Sequence, residues 1–103
     1  MTGRGTRLGV LASGAGTNLE ALLRACNADD FPAQVVVVVS NRRTARALDV
    51  ARAAGIRAEA APQSAFGNDP VMRDRAVIAL LRDAQVDLVV CAGYDRILSD
   101  EFL

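Results

Sequence analysis

Five consecutive valines, Val35 to Val39, run between Gln34 and Ser40 with no polar residue among them. Branching at Cβ favours extended backbone, and successive side chains of a strand point to opposite faces, so a strand of this composition needs apolar cover on both sides. That requirement points to a parallel sheet flanked by helices, the arrangement in which strands read as continuous apolar runs.

The flanking segments fit the same architecture. Leu8 to Ala12 is a short apolar run that ends in Ser13-Gly14-Ala15-Gly16, a buried strand closed by a glycine turn. Leu19, Leu22, Leu23 and Cys26 then recur at i, i+3, i+4 and i+7, which stacks them on one helical face. Thr17 and Glu20 have capping-box spacing, so Thr17 is the expected N-cap, with the helix ending near Asn27. A second helical face is expected from Ala47, Leu48, Ala51 and Ala54, with Gly55 as its left-handed terminator. A short strand follows around Ile56 to Ala60, then a polar loop from Pro62 to Pro70. The next helix is expected from about Val71 to Asp83, with Ala76 or Val77, Leu80, Leu81 and Ala84 inward. Asp87 to Ala92 repeats the buried-strand pattern, and Ser99 has the character of an N-cap for a further helix. Alternation of this kind predicts an α/β fold, an open doubly wound parallel sheet, with residues 1–103 as a single domain.

Composition removes several chemistries. All 12 basic residues are arginine, with no lysine and no histidine, so neither a Schiff base, nor a P-loop, nor a serine or cysteine nucleophile served by histidine can be assembled from these residues. Twelve acidic residues balance the twelve arginines, which gives no basic surface for nucleic acid. Cys26 and Cys91 both fall within apolar patterns and are read as reduced core residues, and with no histidine they make no metal site. No apolar run approaches a membrane span and Met1 to Thr6 lacks a signal-peptide apolar region, so the expectation is a cytoplasmic protein without a membrane partner.

In a sheet of this class ligands bind beyond the carboxyl ends of the strands. The first such loop has two glycines one residue apart, followed by the amides of Thr17 and Asn18 at the positive end of a helix, a combination suited to a phosphate. The same spacing also serves a plain strand-to-helix turn. As a dinucleotide fingerprint it is incomplete, because Leu19 stands where a third glycine belongs and the second strand ends in Asn41 without a ribose-binding acid. Arg42 and Arg43 read either as acceptors of an NADP 2′-phosphate or as a solvated pair at a strand end. The last loop, Gly93 to Leu98, brings Tyr94, Asp95, Arg96, Ile97 and Leu98 to the same edge, either to seat the next helix or to contact a flat heterocycle.

Four segments together carry a family resemblance. Gly9-Val10-Leu11-Ala12-Ser13-Gly14-Ala15-Gly16-Thr17-Asn18-Leu19, Val39-Ser40-Asn41-Arg42, Ala51-Arg52-Ala53-Ala54-Gly55-Ile56 and Ala92-Gly93-Tyr94-Asp95-Arg96-Ile97-Leu98-Ser99 resemble, in order, the amino-terminal half of the folate-dependent glycinamide ribonucleotide transformylases. The resemblance implies a Rossmann-like formyltransferase fold, here truncated, from de novo purine biosynthesis. It implies that Gly16, Thr17 and Asn18 hold the phosphate of glycinamide ribonucleotide, and that Asp95, Arg96, Ile97 and Leu98 bind 10-formyltetrahydrofolate as formyl donor. Asp95 departs from the apolar residue that the family pattern expects. The family's catalytic asparagine, histidine and aspartate follow the matching segment, so the 103 residues by themselves are expected to be inactive, as a monomer or homodimer. Two other readings stand beside this one: an NADP-binding domain of an oxidoreductase using Arg42 and Arg43, and a related formyl-folate hydrolase or formyltransferase.

Overall fold

The computed structural model describes residues 6–14, 16–26, 32–62, 67 and 69–91. They form β1 (Thr6–Ala12), α1 (Thr17–Cys26), β2 (Ala33–Ser40), α2 (Arg46–Ala53), β3 (Arg57–Ala60), α3 (Pro70–Asp83) and β4 (Leu88–Cys91). The strands are all parallel, in the order β3-β2-β1-β4. The chain therefore builds outward from β1 through β2 to β3, then crosses back to place β4 on the other side of β1. That reversal is the switch point at which doubly wound sheets open a crevice.

Both faces of the sheet are covered. On one, Leu8, Val10, Ala12, Val35 and Val38 pack with Leu19 of α1 and with Ala47, Leu48 and Ala51 of α2. On the other, Leu11, Val37 and Val39 pack with Val77 and Leu81 of α3. The valine run meets both layers, with one irregularity: Leu8 pairs with Val35 but Gly9 with Val37, so Val36 is an extra residue. This bulge turns two neighbouring valines to the α3 side, where Val36 packs beside Val37. Gly9 faces the same layer, and a Cβ there would lie 2.7 Å from Leu81 Cδ2 and 3.0 Å from a Val86 methyl. Glycine at that point lets α3 lie close against β1.

The helix ends show how local sequence sets boundaries. Both α2 and α3 end in the paired 6→1 and 5→2 hydrogen bonds of a Schellman motif: Ile56 N to Ala51 O (2.9 Å) and Gly55 N to Arg52 O (3.0 Å), then Val86 N to Leu81 O (3.0 Å) and Gln85 N to Arg82 O (3.0 Å). Gly55 has φ +73°, as its position predicts, whereas α3 places Gln85 at φ +57°. The end of α3 gains a second tie from Arg7 of β1, whose Nη2 donates to Ala84 O at 2.8 Å and whose Nε donates to Gln85 O at 3.1 Å. A cation thus meets the negative end of the helix. At its start α3 begins at Pro70, one residue before the expected Val71, because Asp69 caps it by accepting from Val71 N (3.0 Å) and Met72 N (3.3 Å). Proline suits the first helical position, where no amide is needed.

Three burial expectations are corrected. Ala54 is the exposed C-cap of α2 and no part of its inner face. Cys26 is only half-buried, packed at the margin of the α1–α2 core layer, and Cys91 is exposed and no core residue. The reason for Cys91 is topological: β4 lies at the sheet edge, where Leu88 is 55% and Val89 37% exposed. Partial burial pushes the Cys26 thiol pKa up, against the lowering effect of a backbone hydrogen bond at Val35. No helix among the described residues is long and apolar enough to cross a membrane.

Candidate functional site

The carboxyl edge of the sheet is where the described buried polar side chains gather. Ser13 follows β1, Ser40 ends β2, Asn41 follows it, and Arg73 and Asp74 lie in the opening turns of α3, which starts from this edge; all five are at most 5% exposed. Ser13 Oγ donates to Asn41 Oδ1 at 2.6 Å, joining the first two loops. Arg42 N donates to Ser40 Oγ at 3.1 Å, and Ala47 N at the start of α2 donates to Gly14 O at 3.3 Å.

Gly16 is the pivot of the first loop. Its φ is +87°, and a Cβ would sit 3.1 Å from Ala47 Cα, 3.2 Å from Ala47 N and 3.2 Å from a Val50 methyl. A side chain is excluded twice, by the left-handed backbone and by the main chain of α2. Glu20 N donates to Gly16 O at 2.8 Å, so the first intrahelical bond of α1 is received by Gly16. Gly16 is therefore the N-cap and Thr17 the first helical residue, which corrects the expected Thr17 cap. The left-handed glycine closes the turn one residue early. One consequence concerns chemistry: the amides of Thr17, Asn18 and Leu19 have no intrahelical acceptor, and Thr17 and Asn18 are exposed. Those amides carry the positive end of the helix dipole, the arrangement that receives an anion.

Of the residues expected to bind ligands, the structure brings Gly16, Thr17 and Asn18 together on one loop. Arg42 and Arg43 are exposed on the neighbouring connection between β2 and α2. Asn41, at the position where a dinucleotide site keeps its ribose-binding acid, is turned into Ser13 instead. Asp95, Arg96, Ile97 and Leu98 lie outside the described residues.

The sequence reading missed two features. Arg73 and Asp74 were expected on no inner face, yet Arg73 Nη2 donates to Asp74 Oδ1 at 3.2 Å with side-chain exposures of 2% and 0%. The guanidinium is held by that bond while its Nε is buried without a hydrogen-bond partner. The spacing from Val77, four and three residues away, was the available signal. The other feature is a cleft of about 450 Å³ between β3 and α3, floored by Ala60, Ala61, Ala76 and Leu80. At its rim Arg57 donates to Glu59 (2.9 Å) and Asp83 (2.8 Å), and these two acids push the arginine pKa up. The cleft lies on the outer edge of the sheet and has no share in the glycine loop.

Residues 6–103 match the family model described as formyl transferase. The chain is 38% identical over 96 residues to the phosphoribosylglycinamide formyltransferase of Haemophilus influenzae, an alignment covering 93% of this chain and 45% of that protein. Among solved structures, glycinamide ribonucleotide transformylase 1 from Symbiobacterium toebii superposes with a TM-score of 0.88 at 40% identity, over 95% of this chain and 46% of the other. Phosphoribosylglycinamide formyltransferase from Brucella melitensis gives 0.90 at 37% identity, over 95% and 50%. The chain thus spans about half the length of these relatives.

Proposed function

The chain belongs to the formyl transferase family, and from that membership we propose that it is the phosphate-binding part of a cytoplasmic phosphoribosylglycinamide formyltransferase. In this reading the whole enzyme moves the formyl group of 10-formyltetrahydrofolate onto the primary amine of glycinamide ribonucleotide, a step of de novo purine biosynthesis. Residues 1–103 form one domain part whose task is to seat the ribonucleotide. The names of the relatives support the reaction class and the acceptor. One observation carries the residue assignment: Gly16, at φ +87°, takes the first helical bond and leaves the next amides open.

The chemistry assigned to these residues is binding and orientation. The amides of Gly16, Thr17 and Asn18 take the phosphate oxygens, and the dipole of α1 favours the dianion. Glu20 faces the opposite demand, since its carboxylate stands in the same first turn. Fixing the phosphate restrains the far end of the substrate, so the amine samples less space when it attacks the formyl carbon. That attack needs donors for the oxyanion and a group to take the amine proton. The 103 residues contain no histidine for that second role. Asp95 to Leu98 are assigned to the folate on the strength of the family pattern alone.

Titration with glycinamide ribonucleotide, followed by amide NMR, tests the assignment. The amides of Gly16, Thr17 and Asn18 are expected to move together. Thr17→Pro deletes one of those donors at a position where a helix tolerates proline, and losing one hydrogen bond to a charged group should weaken binding by about tenfold with the helix retained. A titration that leaves all three amides unmoved refutes the site, and micromolar binding of NADPH by calorimetry would restore the dinucleotide reading.

A further inference from the structure

We infer that Asn41 is a positioning residue for the anion site, an inference that rests on the phosphate reading above. Ser13 and Asn41 are 28 residues apart, 3% and 5% exposed, and joined by a 2.6 Å hydrogen bond in which the serine hydroxyl donates. Their backbones flank the two ends of the arrangement that presents the open amides. Ser13 enters the glycine loop from β1, and Asn41 leads into the β2–α2 connection that reaches Ala47. Ala47 in turn bonds Gly14 O and packs against Gly16. The loop is therefore tied to the end of β2 at Ser13 and to α2 at Gly14 and Gly16. The side-chain clasp is the first of these ties.

Two properties of Asn41 follow. It must accept a hydrogen bond, because the bond from the Ser13 hydroxyl is what ties the end of β1 to the end of β2. It must also be neutral. An aspartate could accept the same hydrogen bond, but would place a buried negative charge at the edge where the phosphate sits, and burial weakens the screening that protects surface charges. Asparagine meets both conditions at once, and the acid that marks a ribose-binding strand end meets only the first. The other ionisable groups around the loop are Glu20 on α1, Arg42 and Arg43 on the β2–α2 connection, and Arg46 on α2.

Asn41→Asp separates positioning from bare structure. Sulfate serves as the probe, since it stays dianionic from pH 7.5 to pH 4 and reports on the protein's charge alone. Binding is read from the amides of Gly16, Thr17 and Asn18 in the parent chain and the variant, with Glu20 and the arginines common to both. At pH 7.5 the variant is expected to bind about tenfold more weakly, and the deficit should close as pH falls and the buried carboxyl takes a proton. Ser13→Ala should weaken sulfate at every pH, and Ser13→Thr, which keeps the hydroxyl, should restore it. A tie with no part in binding would lower melting temperature in these variants and leave sulfate affinity untouched, and that result overturns the inference. Equal affinity of Asn41→Asp and parent at pH 7.5 does so as well. If Asn41→Asp does not fold, the Ser13 pair decides by the same affinity readout. A parent whose three amides ignore sulfate removes the phosphate site itself, a different failure from a responsive parent with an equally responsive variant.

Discussion

Arg73 and Asp74 are the charged side chains among the described buried residues. A guanidinium taken out of water donates to the neighbouring Asp74 carboxylate at 3.2 Å, and its Nε is left without a partner. Breaking such a pair from one side strands the remaining charge, which costs about 3–5 kcal/mol, whereas replacing both members by apolar residues of similar size is about neutral or better. Asp74→Leu, which leaves the buried guanidinium uncompensated, should therefore lower unfolding free energy by about 3–5 kcal/mol in urea denaturation, and Arg73→Leu with Asp74→Leu should recover part of that loss. A single variant as stable as the parent would show that the charge balance lies elsewhere. By contrast the Arg57, Glu59 and Asp83 network is on the surface, where solvent screens it, and it does more to keep the β3 edge charged than to hold the fold.

At the scale of elements, the two Schellman endings make a natural comparison. They share their hydrogen-bond pattern, but α2 uses glycine for the left-handed residue and α3 uses Gln85 at φ +57°. A side chain at that backbone angle is strained by about 1–2 kcal/mol, part of which glycine gives back through its greater freedom in the unfolded chain. Gln85→Gly should accordingly stabilise the protein by about 0.5–1 kcal/mol, seen as a higher denaturation midpoint at unchanged slope. A lower midpoint would mean that Gln85 makes a contact that outweighs the strain. The element boundaries were legible wherever one residue type dictates one geometry. Gly55 was read correctly for that reason, and Asp69 followed by Pro70 carried an equally clear start for α3 that the apolar pattern had masked.

For the whole molecule, β4 is decisive. It forms one edge of the four-stranded sheet, and Leu88 at 55% and Val89 at 37% exposure leave apolar surface there. An edge of that kind, apolar where β3 is charged, invites pairing with another chain. The 103-residue polypeptide by itself is expected to show no formyl transfer to glycinamide ribonucleotide and to self-associate as concentration rises. Adding the carboxyl-terminal half of a relative in trans should produce turnover from 10-formyltetrahydrofolate. Activity from the polypeptide alone would refute the first expectation, and a folded mixture without turnover the second.

Sequence by itself was sufficient for the class of fold and for the glycine turn that opens α1. Five adjacent valines have no stable place except between two covering layers, and a glycine turn between a strand and a helix can be recognised from its own residues. Both are local demands of backbone and side chain. What tertiary structure decided was every feature that depends on which distant segment comes near. The packing of Gly16 against Ala47 and Val50, which forbids any side chain there, joins segments some thirty residues apart. The Ser13–Asn41 bond joins the ends of two strands, and the burial of Arg73 with Asp74 follows from α3 starting at the carboxyl edge. The exposure of Cys91 has the same origin. Its residue pattern is that of a core strand, but a strand's burial is set by its rank in the sheet, and among the described residues β4 has a neighbour on one side only.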